Sequence, residues 1–487
     1  MKIALQSAWL SGKKRALASV LIIVLWIAFG LVTLALYFAE SMNFELRASD
    51  NRACGIAAEQ AIDGAARYVT YVLSTYATNG ALPDPLYFPC EAVPIGEAYY
   101  WIIGRDTNQL EGTTPLLTFG LIDESSKLNL NTLRSTNLEW LPRMTPQLAA
   151  NIIDWRDTNG NTSANGDGPA VYAMMSPPYM AKAAPYDSVE ELKLVYGMDM
   201  LTLVGEDINR NGILDPNEFD ENANNILDPG LIDYLTTYSR EPNTTSNGTQ
   251  RIYIGKLSST NTAFLSLLQT NFGDTRSAEI LQNLGVGAAG GSGGQSNSGK
   301  SSGKSSGKSS GKSGGAAATS SVSFKSLLSF YKKSQMTPEE YDLVEDELTV
   351  TQGEFVDGRI NVNTASLAVL TALLRGDSAA AEQLVNYRQS NPLGMGSVAW
   401  VSEALGDSYP DALSLLSARD YITTRSYQFT ADIAAVGPYG RGYRRIRYVF
   451  DTCMGSPRII YRQDLTHLGW ALGRDVREYL LMAKETR

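Results

Sequence analysis

The sequence predicts an α+β fold, in which a long N-terminal helix lies on an antiparallel sheet and a large α-helical domain is inserted into that sheet. Three observations carry the prediction. An uncharged apolar run near the N-terminus continues without proline, in an amphipathic pattern of helical period, as far as Tyr76. Runs rich in β-branched and aromatic residues occur at both ends of the remaining chain, near 94–123 and from 421 onward. Between them, the chain repeats itself at an offset of 232 positions.

The apolar run is Ala16–Phe38, 23 residues without a charge. As a helix it spans roughly 35 Å, enough to cross a hydrocarbon core of about 30 Å. It is longer than the apolar core of an ordinary cleaved signal peptide. Lys13, Lys14 and Arg15 precede it, whereas Glu40 and Glu45 follow. The excess of positive charge on the short side places residues 1–15 in the cytoplasm, 16–38 across the membrane and the bulk of the chain beyond it. Past the membrane, Ile56, Ile62, Ala66, Val69, Val72 and Leu73 recur at helical spacing. The segment 39–127 is therefore the rest of the helix followed by the first strands, EAYYWIIGRD and PLLTFGLID.

Residues 128–419 form the inserted helical domain. Leu128-Asn-Leu-Asn-Thr132 recurs as Ile360-Asn-Val-Asn-Thr364, and the match runs on without gaps through Leu138/Leu370, Leu141/Leu373 and Trp155/Tyr387. Each copy, the second at 358–389, reads as two short helices. The pattern is similar to the helix-hairpin-helix unit, a binder of phosphate backbones through a Gly-x-Gly hairpin. Here the hairpins read Leu-Pro-Arg-Met-Thr-Pro (141–146) and Leu-Leu-Arg-Gly-Asp-Ser (373–378), without paired glycines and with Asp377 where an anion would sit. A packing role is expected, not nucleic-acid binding. The stretch 286–321, rich in Gly and Ser with Lys300, Lys304, Lys308 and Lys312 at period four, reads as a flexible tether.

The most specific motif lies in the acidic stretch 206–230. Asp207, Asn209, Asn211, Gly212, Ile213, Asp215 and Glu218 match a twelve-position calcium loop. Positions 1, 3 and 5 supply side-chain oxygens, Gly212 the sharp turn, Ile213 a backbone carbonyl, Asp215 a ligand often relayed by water, and Glu218 the closing bidentate carboxylate. A second copy follows at Asp220, Asn222, Asn224, Ile226 and Asp228, with Asn225 at the turn and Leu231 where a closing carboxylate belongs. That copy must borrow a ligand or bind more weakly. Asp157, Asn159 and Asn161, with Asp167 nearby, begin a third candidate. One or two structural Ca²⁺ ions are expected, acting as a clip on a loop. No exiting helix follows Glu218, so the loop lacks the moving parts of a sensor.

The C-terminal segment 420–487 reads as closing strands, with turns at PYGRG (438–442) and MGSP (454–457). Ile446, Tyr448 and Phe450 alternate with Arg445, Arg447 and Val449 as in a strand with one solvated face.

Composition narrows the function. The chain of 487 residues carries 51 acidic against 41 basic side chains, a net charge of −10, which opposes a surface built to grip nucleic acid. His467 is the single histidine, no nucleophile elbow is present, and no catalytic role is expected. Cys54, Cys90 and Cys453 have no CxxC spacing, and allow one disulfide without indicating which pair.

Taken together, Ala16–Phe38 with its helical extension, SSKLNLNT (125–132), IIDWRD (152–157), APYDSVEELKLVYGM (184–198), GRINVNTAS (358–366) and the closing strands from Tyr421 resemble the type II secretion minor pseudopilin K family. The resemblance implies an N-terminal helix on a pilin-type sheet interrupted by a large α-domain that binds calcium. It implies an inner-membrane protein with its bulk in the periplasm, capping the pseudopilus tip and helping to initiate its assembly. Its implied partners are minor pseudopilins I and J, the major pseudopilin and secreted substrates, with no nucleic acid. Where the family's processing glycine stands before the apolar run, this chain has Arg15. The alternative reading is a membrane-anchored DNA receptor of the competence type, which joins one anchor to helix-hairpin-helix units.

Overall fold

The computed structural model describes residues 3–77, 80–109, 112–286, 321–392 and 395–485. Helix α1 (Ile3–Tyr76) is continuous, as expected of a proline-free stretch. Its side chains from Val20 to Leu46 are exposed, and its apolar part is long enough to cross a membrane. From Ala58 the helix turns one stripe inward: Ala58, Ala61, Ile62, Ala65, Val69, Val72 and Leu73 are buried. Ile56, expected on that stripe, is 51% exposed, because the buried face runs through Cys54, Gly55 and Ala58 and Ile56 lies off it. The alanines let the helix axis approach the sheet closely, and Ile102, Ala431, Ile433, Tyr448 and Phe450 meet it from the other side.

The sheet consists of β1 (Val93–Ile95), β2 (Ala98–Ile103), β3 (Ile122–Asp123), β4 (Gln428–Gly437), β5 (Arg441–Asp451) and β6 (Arg458–Asp464). Its order is β1-β2-β4-β5-β6, every pair is antiparallel, and β3 joins the far end of β4. Only Ile122 and Asp123 of the expected second strand pair in this way; Phe119 adds a single bridge to Ile103. At the β4–β5 turn, a Cβ on Gly442 (φ +70°) would lie 2.4 Å from the carbonyl carbon of Cys54. Only glycine permits the hairpin to close on the helix backbone there.

Strand β5 is not half-solvated as its alternation suggests. Arg445 is fully buried, as is Val449, since the second face of the sheet is also covered. Part of that cover was not anticipated: a C-terminal helix, Gly473–Glu485, follows the closing strands and packs Val476 and Leu480 near Trp101, Ala434 and Trp470. All three cysteines are free, so the single disulfide that composition allowed is not formed.

Between β3 and β4 lies the helical domain, with its own large core. The two copies of the repeat fold alike. The first pairs helix Ser135–Leu138 with Pro146–Arg156, the second Leu367–Leu373 with Ser378–Ser390. In each, the leading LN or IN dipeptide forms a short parallel pairing, Leu128–Asn129 with Leu235–Thr236 and Ile360–Asn361 with Ile422–Thr423. The arginine ending each second helix reaches back to its own copy: Arg156 donates to the Leu133 carbonyl and Arg388 to that of Ala365, equivalent positions of the repeat. Such agreement in hydrogen bonds makes the repeat structural as well as sequential. Of the tether read at 286–321, residues 287–320 lie outside the described residues.

Candidate metal centre

The acidic stretch leaves the short helix Met200–Val204 at Gly205, whose backbone abuts Gly230 so closely that a Cβ would lie 2.3 Å from the Gly230 nitrogen. This contact brings the two ends of the double loop together. Within the first loop, Asp207 accepts from the amides of Asn211 (2.9 Å) and Gly212 (2.7 Å), and Asn211 Oδ1 accepts from Ile213 (3.0 Å). Asp215 accepts from the side-chain amides of Asn209 (2.6 Å) and Asn211 (2.9 Å). Glu218 closes the ring by accepting from the Asn209 amide at 3.0 Å and the Asp215 amide at 2.9 Å. The calcium-loop positions of the sequence are thus gathered around one another, and Gly212 takes the positive φ (+85°) required of the turn.

The second loop repeats this geometry. Asp220 accepts from Asn224 and Asn225, Asn224 Oδ1 from Ile226, and Asp228 from Asn222, each equivalent to a bond in the first loop. Asn225 adopts φ +58° where Gly212 has +85°, which asparagine tolerates better than most side chains. Leu231 is buried in the core and offers no carboxylate. Glu206 takes that place: it is 1% exposed and accepts from the amide of Asp228 (2.9 Å), as Glu218 does from the equivalent Asp215, and from that of Glu221 (2.8 Å), one residue before the equivalent of Asn209. Sequence spacing could not reveal this residue, because it precedes the first loop and serves the second. Its signal was only its place in the run Glu206-Asp207.

The third candidate is less gathered. Asp157 accepts from the amides of Asn159 and Asn161, while Asp167 accepts from the side chains of Gln147 and Asn151.

Burial of these carboxylates shapes their electrostatics. Burial, with the Asp233 charge nearby, raises Asp207 to about 6, and burial raises Glu218 to about 7. Among the described residues no three Asp, Glu, His or Cys side chains stand together as a ready-made cage. A calcium loop does not need one, since it mixes carboxylates with amide and backbone oxygens. The donor set here is entirely oxygen, and Asn209, 4% exposed, has an Oδ1 without any hydrogen-bond partner. A buried acceptor left unpaired at position 3 of the loop is what a coordinated hard cation would satisfy. The first loop therefore fits the ion.

The loop is also fastened to the sheet. Arg445 of β5 binds both carboxylate oxygens of Asp432 on β4, at 2.7 and 2.8 Å, and donates to the carbonyls of Asn209 and Arg210. Arg105, just after β2, donates to the Arg210 carbonyl at 2.9 Å. From the other side, the side-chain amides of Asn209 and Asn211 donate to the carbonyls of Trp470 (3.2 Å) and Ala471 (3.3 Å). The flanking Arg445 and Arg447 charges hold Asp432 far below the usual carboxylate range despite its burial. The second face of the sheet is thus covered in part by the loop itself.

The repeat hairpins are capped by their own side chains and pack on one another. Asp377 caps its own helix by accepting from Ala380, and Thr145 caps the first copy by accepting from Leu148. A Cβ on Gly376 would lie 2.5 Å from the Trp140 ring, so the two hairpin regions pack on each other. His467 sits exposed on a turn after β6.

No curated protein matches the sequence. Among solved structures, the chain is similar to one in the GspK-GspI-GspJ complex of the type 2 secretion system of enterotoxigenic Escherichia coli, with 11% identity, a TM-score of 0.42, and coverage of 86% of this chain and 99% of that one. A likeness at that level carries no argument. The family models are specific: residues 126–203 and 360–420 each match a model described as Type II secretion system (T2SS), protein K. The first segment covers the first copy of the repeat and the second covers the second copy, both within the domain inserted into the sheet. The chain thus carries both segments of the type II secretion system protein K models, one on each copy of its repeat.

Proposed function

We propose that this protein sits at the tip of a type II secretion pseudopilus, anchored by residues 16–38 in the inner membrane with its N-terminus in the cytoplasm, and helps to initiate pseudopilus assembly. The observation that carries the reading is the coincidence of the two matched segments with a second core, larger than that of the sheet, set between β3 and β4. A head widened in this way leaves little room for a subunit stacked above it, whereas the exposed apolar length of α1 suits a helical bundle below. The role is structural, without catalysis. Its partners in this reading are pseudopilins I and J, the major pseudopilin and the membrane, with secreted substrates passing the tip. The DNA-receptor alternative finds no support in hairpins that pack against each other.

In the same reading Ca²⁺ occupies the first loop through Asp207, Asn209, Asn211, Ile213, Asp215 and Glu218. A second ion is held by Asp220, Asn222, Asn224, Ile226 and Asp228, with Glu206 closing. The ions neutralise buried carboxylates and hold the inserted domain against the sheet. Periplasmic calcium would keep even a modest site filled. The test is co-purification of the full chain with pseudopilins I and J from detergent-solubilised membranes, and secretion in a deletion strain. A stable complex and lost secretion are expected. Undiminished secretion with no complex would refute the assignment.

A further inference from the structure

The β4–β5 turn (438–442) closes on the backbone of Cys54, and Arg441 within it pairs with Asp50. At the opposite end of β4, Ser426 donates its amide to the carbonyl of Gly80, just past the end of α1. Strand β4 therefore runs alongside the packed half of α1, and the turn is the end of the sheet nearest the apolar span. The C-terminal helix, Gly473–Glu485, descends towards that end: Gly473 lies beside Leu117 and Ile213, and Leu480 beside Gly440 of the turn. Twelve residues separate Phe38 from Asp50, a rise of about 18 Å, and the five helical residues after Leu480 take back about 7.5 Å of it. With 16–38 in a bilayer, the helix comes to about 10 Å from the hydrocarbon, at the edge of a headgroup layer about 5–7.5 Å deep.

The chemistry of this underside suits a headgroup layer. Val476 and Leu480 pack inward, leaving Tyr479 66% and Met482 65% exposed, while Tyr439 in the turn is 57% exposed. Tyrosine concentrates at membrane interfaces, where its ring meets the acyl boundary and its hydroxyl stays wet. Between the span and the head, Met42, Phe44 and Leu46 of α1 are exposed as well. Charge is sorted in the same sense. Residues 1–38 hold four basic and no acidic side chains, so the remainder of this chain of net charge −10 carries −14. Within that acidic remainder, 438–444 and 473–487 together hold six basic and three acidic side chains. Arg474 pairs with Glu478, whereas Arg477 is exposed and has no acidic partner among the described residues. An anionic surface repels such a head on every side but this one.

We infer that the C-terminal helix and the β4–β5 turn dock on the anionic phospholipid surface of the membrane that α1 crosses, an inference that rests on the anchored topology proposed above. The test is amide hydrogen exchange of the full chain in nanodiscs of phosphatidylcholine alone and of phosphatidylcholine mixed with phosphatidylglycerol. Each basic side chain near an anionic surface adds about fivefold to binding, so residues 473–485 should exchange at least about tenfold more slowly in the anionic nanodiscs. The R474Q/R477Q variant should lose most of that protection, with an unchanged melting temperature because both side chains are exposed. Residues 20–38 report the anchor separately, and should be protected in both lipids. Free exchange there would overturn the topology and the docking with it. Protection at 20–38 without any at 473–485 would overturn the docking and leave the topology standing. Equal protection of 473–485 in both lipids, protection untouched by the double variant, or protection that appears only with pseudopilins I and J would also overturn the docking.

Discussion

Arg445→Met is the sharpest probe of how the inserted domain is held to the sheet. Arg445 is fully buried and makes four hydrogen bonds, two to Asp432 and one each to the carbonyls of Asn209 and Arg210. Methionine keeps the length and apolar bulk but removes every donor. Asp432 would retain Arg447, at 2.7 Å, and the Arg210 carbonyl would retain Arg105, so the losses concentrate on half the Asp432 pairing and on the Asn209 carbonyl. Breaking a buried ion pair costs about 3–5 kcal/mol, and an orphaned buried carbonyl adds about 1–3 kcal/mol. Relief from the surviving Arg447 brings the expected total to about 3–5 kcal/mol. The measurement is urea unfolding of the full chain in detergent, followed by circular dichroism, for Arg445→Met, Asp432→Asn and the double variant. A coupling of about 2–3 kcal/mol between the two sites is expected. A loss below about 1 kcal/mol, the scale of a surface pair, together with zero coupling, would refute the claim that this pair rivets loop to sheet.

Two further predictions follow from single carboxylates. Glu206→Gln preserves shape while removing the charge proposed to close the second calcium loop; titration calorimetry should show one calcium event weakened by roughly tenfold or more and the other retained, with Glu218→Gln affecting the opposite event. Two unchanged events in Glu206→Gln would remove that residue from the site. Glu345, buried and accepting from the Val398 amide, is raised to about 7 by burial. Its folded value lies above its unfolded one, so the native state holds the extra proton, and stability is greatest at acid pH and falls as pH rises through about 7. Glu345→Gln should flatten this dependence between about pH 5 and about pH 8, and raise the melting temperature most at the alkaline end. A variant with the parent's pH profile would contradict the assignment.

How much of this was legible in the sequence depends on whether the cause was local. Helix α1, the repeat and the gathered loop from Asp207 to Glu218 were readable because each is set by short-range spacing: the apolar stripe at Ile62, Val69 and Val72, the paired LNLNT and INVNT, and the order of acids and amides in that loop. What escaped was long-range. Arg445 read as solvated because the carbonyls of Asn209 and Arg210 that receive it lie far from it in sequence. The part played by Glu206 was invisible for the same reason, since it accepts from the amides of a loop it does not belong to. The PLLTFG run carried strand propensity, but only Ile122 and Asp123 found a neighbour with which to pair.

The two described ends that flank 287–320 are close neighbours. A Cβ on Gly285 would lie 3.8 Å from Val322, which is itself paired with Leu257. The fold therefore asks no reach of whatever joins them, and doubling the number of residues in a flexible connection costs only about 0.6 kcal/mol. This junction is a natural port in the molecule: a fluorophore-bearing peptide, an epitope or an entire foreign domain with adjacent termini can be spliced in at that point, giving a visible handle on the protein without touching helix α1, the sheet or the acidic double loop.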